Sequence, residues 1–143
     1  MRIELGHLPD SQLNPNKRLH WSELYKAKRD AKDHAMALVY QQGKPLKPYE
    51  QAQITITWVA KDKRRRDVDN LFSSMKGYLD GLVAAGVIVD DSAANVQYTL
   101  AYEHGDTDNT IISIRKLNKL LPTEDAIFCP YCKCRLPDNV LVE

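Results

Sequence analysis

Cysteine is scarce: the 143 residues hold three, at positions 129, 132 and 134. Three thiols crowded into six positions cannot build a disulfide framework, which excludes the small cross-linked secreted scaffolds. Long apolar runs are also lacking, and no stretch approaches the roughly 20 residues of a membrane span. The opening Met1-Arg2-Ile3-Glu4-Leu5 lacks the apolar core of a signal peptide. A cytoplasmic protein with no membrane partner is therefore expected. Nor is there an excess of charge, with 20 Lys and Arg against 19 Asp and Glu and a net charge of +1. Any affinity for a polyanion must then come from a local patch. The 43% of hydrophobic residues is enough, at this length, for one domain with its own core.

One stretch stands out, Lys63-Arg64-Arg65-Arg66-Asp67-Val68-Asp69-Asn70. A basic run leads into two carboxylates one residue apart. In an extended backbone Asp67 and Asp69 would point to the same face. Carboxylates held that close repel unless a cation lies between them, and a hard ion such as Mg²⁺ prefers oxygen ligands. The cations upstream suit a polyanion. The combination predicts metal-dependent chemistry on nucleic acid.

Around this stretch the sequence predicts an α+β domain over residues 1–120, a small mixed sheet with two main helices. Ile3 and Leu5 mark a short first strand. Asn14-Pro15-Asn16-Lys17-Arg18 reads as a loop, and with His20 and Trp21 it mixes cations and aromatics. That mixture suits phosphate contact or base stacking; equally, it is a polar loop whose Trp21 anchors the next helix. Leu24, Ala27, Ala31, Ala35 and Leu38 give a helix over Trp21–Gln42 that ends at Gly43, with Lys26, Lys28, Arg29 and Lys32 on its other face. Ile54, Ile56 and Trp58 alternate along a strand from Gln51 to Ala60. A second helix is expected from Leu71 to near Gly86, with Asp69 or Asn70 as its cap. Val87-Ile88-Val89 then leads to Asp90-Asp91. Strands at 95–103 and 109–115 read as a hairpin about His104–Asp108.

Phosphodiester hydrolysis needs a positioned water and neutralised phosphoryl and leaving oxygens, which Mg²⁺ held by carboxylates can supply. Asp67 and Asp69 form half of such a nest, and Asp90 or Asp91 offers the other half. Lys76, about two turns into the second helix, either brings an ammonium to the phosphate or is a solvated helix residue. Arg64-Arg65-Arg66-Asp67-Val68-Asp69-Asn70-Leu71, a helix, Ala85-Gly86, an apolar run and Asp90-Asp91 together resemble the RusA family of Holliday junction resolvases. The resemblance covers roughly residues 5–115. It implies a homodimeric, Mg²⁺-dependent endodeoxyribonuclease that makes paired symmetric nicks in a four-way DNA junction. It further implies Asp67, Asp69 and Asp91 as metal-binding catalytic acids, with Asp90 as an auxiliary one. Asn16, Lys17, Arg18, Lys63, Arg64, Arg65, Arg66 and Asn70 are the expected nucleic-acid contacts. The chain departs from the family in two respects: the family lysine lies three residues after the Asn, where this chain has Ser73 and Lys76 is the candidate to take over its role, and the family pattern does not need the cysteine tail. The alternatives are a non-catalytic junction-binding protein, or a nuclease for other branched DNA or for RNA.

Residues 121–143 are expected to be a tail. Its Cys129-Pro130-Tyr131-Cys132 resembles one knuckle of a zinc ribbon, with Cys134 as a third thiolate for Zn²⁺. A closed site wants a fourth ligand, from His104, another His or a dimer mate. Otherwise the thiols are simply reduced and bind no metal. Zinc per chain, measured after purification without chelator, separates the two.

Overall fold

The central strand β2, Ala52–Ala60, carries the core. Its alternation places Ile54, Ile56 and Trp58 on one face, each fully buried. Burial of such a side chain is worth about 1.5–3 kcal/mol. The other face shows Gln53, Thr55 and Thr57 half-buried. A computed structural model describes residues 1–118, so the cysteine tail and its expected zinc knuckle lie outside the described residues.

The fold is α+β, with a four-stranded mixed sheet ordered β1-β4-β2-β3. β1 is Arg2–Glu4, β3 is Val96–His104 and β4 is Asn109–Lys116. β3 runs parallel to β2, with Ile54 opposite Tyr98 and Trp58 opposite Tyr102. β4 runs antiparallel to both β2 and β1. The expected hairpin between the last two strands is therefore not formed, because β2 lies between them. A parallel partner needs a long crossover, which the helical segment after β2 supplies. That crossover puts β3 on one edge of β2 and leaves the other edge for β4. The 105–108 loop passes over the end of β2, where Gly105 N donates to Ala60 O (3.1 Å) and Lys61 N to Asp108 Oδ1 (2.9 Å).

Helix α1 spans Trp21–Gln42 as the periodicity predicts. His20 caps it by accepting from Ser22 N, and Gly43 ends it at φ 94°, where a side chain would be strained. The expected second helix is two helices, α2 at Val68–Ser73 and α3 at Lys76–Ala84. The Ser74 hydroxyl donates to Asn70 O (2.8 Å), and Met75 N donates to Phe72 O (3.0 Å) in a tighter turn. This break buries Met75 completely and redirects α3 onto α1.

Small residues line the α1–α3 seam, with Ala27, Ala31 and Ala35 on one side and Gly77 and Gly81 on the other. A Cβ at Gly77 would meet Lys28 O at 2.9 Å, and one at Gly81 would meet Lys32 O at 2.6 Å. The contacts ascend together along both helices, so α1 and α3 run in the same sense. Among the described residues no helix is long and apolar enough to cross a membrane.

Candidate functional site

The basic run is shaped by Asp62. Its Oδ1 accepts from Arg64 N (3.1 Å) and Arg66 Nη1 (2.6 Å), and its Oδ2 accepts from Arg66 Nη2 (3.1 Å). Arg66 Nη1 also donates to the Tyr102 hydroxyl (3.1 Å) on β3. Such a two-pronged guanidinium–carboxylate pair fixes geometry as well as charge. The hydrogen bond from Arg66, then that from Arg64 N, hold the Asp62 carboxyl down at about 2. Arg66, with its side chain only 19% exposed, thus ties the loop to the sheet, while the side chains of Arg64 and Arg65 are 82% and 92% exposed and open to a ligand.

A folded-state pKa below the ordinary 3.8 stabilises the protein above that value, and the contribution is lost as pH falls toward 2. Asp62→Asn is therefore expected to lower the midpoint of urea unfolding at pH 6 to 7, with the deficit shrinking below pH about 3.8. A deficit independent of pH would show that the carboxylate charge plays no part.

Asp67 is the N-cap of α2 and is extended (φ −90°, ψ 131°), whereas Asp69 already lies in the first helical turn. The two do not share a strand face, because β2 ends at Ala60 and the loop held by Asp62 intervenes. The cap position is Asp67 itself, not Asp69 or Asn70, and it makes no side-chain cap bond. Its nearest cation is Arg65 Nη2 at 3.6 Å from Oδ1. The side chain of Asp69 has no hydrogen-bond partner among the described residues. Asp67, Arg64, Arg65 and Asn70 line a cleft of about 450 Å³ whose other wall is Leu8, Ser11 and Asn14. The Asn-Pro loop thus meets the basic run. Asn16, Lys17 and Arg18 are exposed on that loop, as is Lys63 on the basic run, and none is in the cleft lining.

The second acidic pair lies against α3. Lys76 Nζ donates to Asp91 Oδ2 (2.5 Å) and pairs with Asp80 Oδ1 (3.0 Å). Asp90 Oδ1 accepts from Asp91 N (2.8 Å), so Asp90 shapes the turn. The hydrogen bond from Lys76 holds the Asp91 carboxyl below its ordinary value, and the bonds to Asp91 and then Asp80 raise the Lys76 ammonium. Tyr98 on β3 stands behind them. Burial, then the Asp91 charge, pushes its phenol up to about 12, against Lys76 and with Asp80. Phe72 on α2 meets the Tyr98 ring edge-on at 5.0 Å.

Lys76 and Asp91, 15 residues apart in sequence, are brought together, and Ser73 is exposed on α2. Among the described residues, no ion pair or hydrogen bond joins Asp67 or Asp69 to Asp91. Among the described residues no three His, Cys, Asp or Glu side chains form a metal-holding group. The donors nonetheless suit Mg²⁺ in kind. They are carboxylate oxygens, exposed at Asp67 and Asp69 and partly buried at Asp91, and this ion is usually held by one or two carboxylates, its remaining ligands being waters and substrate phosphates.

Three residues escaped the sequence reading: Asp80, Asp62 and Tyr98. Only Asp80 left a signal, its Lys-x-x-x-Asp spacing on a helix. The partners of Asp62 and Tyr98 depend on strand register. Comparison of the chain with protein-family models finds no match, and comparison with curated proteins finds none either.

Proposed function

We propose that this chain is a Mg²⁺-dependent, structure-selective endodeoxyribonuclease that resolves four-way DNA junctions by paired symmetric nicks, as its resemblance to the RusA family implies. The observation that supports it most is the Lys76–Asp91 pair, which joins the helix following the Asp67–Asp69 segment to the second acidic pair. Asp67, Asp69 and Asp91 would hold Mg²⁺, which when bound supplies charge neutralisation at the phosphoryl oxygens and an activated water. Lys76 holds a positive charge beside Asp91, and Asp80 keeps it on that side of α3. Arg64 and Arg65 line the cleft with highly exposed guanidinium groups, each in one long ion pair (3.8 Å to Asp62 and 3.6 Å to Asp67) and able to meet phosphate. A junction has two-fold symmetry, so a two-fold homodimer with one site per subunit would make matched cuts.

The direct test is to incubate the full chain with a mobile four-way junction and Mg²⁺ and map the nicks. Symmetric nicks in strands of like polarity are expected. Cleavage of flaps, single strands or RNA in preference to junctions would move the substrate class. A second reading, junction binding without cleavage, is favoured by the lack of a three-ligand metal group among the described residues. Binding with no nicks under Mg²⁺ would select it.

Affinity should fall steeply with salt, since phosphate contacts release counterions. Arg64→Ala with Arg65→Ala is expected to reduce the slope of log affinity on log salt by about 0.9 per lost contact. Arg66→Ala should instead lower stability through its lost ties to Asp62 and Tyr102. An unchanged slope in the double variant would remove the basic run from the interface.

A further inference from the structure

The start of α1 carries two large aromatics that the fold does not use, Trp21 at 74% and Tyr25 at 64% exposure. They are four residues apart, hence neighbours on one face. The His20 ring lies 5.6 Å from that of Trp21. At about 100° per residue, Trp21, Tyr25, Lys28, Arg29 and Lys32 fall within a sector of about 100°, and Glu23, Asp30 and Asp33 fall outside it. Among the described residues those three cations have neither ion pair nor side-chain hydrogen bond. The helix thus gathers both aromatics and three of its four unpaired cations on one flank, while the carboxylates, with Lys26 among them, take the other.

The flank is also well placed. α1 and α3 run in the same sense, with Lys28 opposite Gly77, so Trp21 lies seven residues ahead of the start of that seam. At 1.5 Å per residue this is about 10 Å beyond it. The loop entering α1 carries Asn14, which lines the cleft with Arg64, Arg65 and Asp67. Between Asn14 and Trp21 in the chain, the exposed Lys17 and Arg18 add cations to the segment that joins cleft and rings.

We propose that Trp21 and Tyr25 form a stacking platform for unpaired nucleobases, with the cations of the same flank tracking the strand's phosphates. Aromatic faces accept any base, whereas a closed duplex hides its base faces. The platform would therefore favour single strands and opened branch points over paired arms. It rests on the nucleic-acid reading above but not on cleavage.

The test uses the tryptophan emission of the full chain without Mg²⁺. Trp58 is fully buried, so any quenching on binding reports Trp21. An oligothymidylate is expected to quench the emission, and an abasic strand of equal length and charge to leave it unchanged. Trp21→Ala should abolish quenching and weaken oligothymidylate binding about tenfold, with abasic binding and the salt slope unchanged. Tyr25→Ala should weaken oligothymidylate binding in the same way, and Trp21→Phe should restore most of the lost affinity.

Equal losses on both strands, or no loss on either, would overturn the platform. So would a change of oligomeric state in Trp21→Ala by sedimentation, which would make the rings a contact between copies. Junction cleavage without quenching removes the platform and keeps the nuclease. Quenching without cleavage does the reverse.

Discussion

Asp91→Asn is expected to abolish junction cleavage while junction binding persists or tightens. Asp91 is ionised at neutral pH, since Lys76 donates to its Oδ2 and holds its pKa down. Asparagine keeps the shape and removes the charge that a divalent cation or the lysine needs. Even the loss of an outer partner of a metal ligand costs 10–100-fold, so a fall of at least about a hundredfold is expected. The fold should survive, because Lys76 keeps Asp80 at 3.0 Å and pairs near the surface are worth at most about 1 kcal/mol. Binding should hold because a negative charge facing phosphate has been removed. Cleavage at the parent rate would place the chemistry elsewhere. Lys76→Ala completes the test: if it cuts normally while Asp69→Asn does not, the lysine has no part in the reaction.

Gly81→Ala is expected to destabilise the protein, against the local preference of the helix. In an exposed helix interior, alanine gains roughly 1 kcal/mol over glycine. Here the added Cβ would lie 2.6 Å from Lys32 O and 2.8 Å from the Ala35 Cβ. The carbonyl belongs to α1 backbone and cannot turn aside, so the helices must separate. Overpacking of this kind costs about 1–3 kcal/mol, and separation also loosens the packing behind Lys76 and Asp80. The melting temperature should drop by about 2–4 °C per kcal/mol lost. Gly77→Ala, with contacts of 2.9 and 3.0 Å, should cost less. A rise in melting temperature for Gly81→Ala would show that the seam yields.

The elements were largely legible because each has a clean local period. α1 shows its apolar residues at steps of three and four, and β2 alternates without interruption. The break between α2 and α3 was not legible, since Leu71, Met75, Tyr78 and Leu82 keep a helical spacing straight through it. What decides it is a serine hydroxyl competing for Asn70 O and the close approach of two glycines to α1. Nor was strand order legible, because the short connection after β3 has the length of a hairpin and only the pairing with β2 shows otherwise.

By itself the sequence determined which residues could do chemistry: a basic run, two acidic pairs and a lysine between them, on an α+β frame. Tertiary structure alone decided how they are distributed. It ties Arg66 to Asp62 and Tyr102 and leaves Arg64 and Arg65 exposed, in long ion pairs only. It places Asp67 and Asn70 in the cleft, leaves Asp69 exposed outside its lining, and sets Lys76 between Asp80 and Asp91. The physical reason is reach. Periodicity reports which face a side chain takes within its own element, whereas an ion pair across 15 residues depends on where a crossover returns to the sheet.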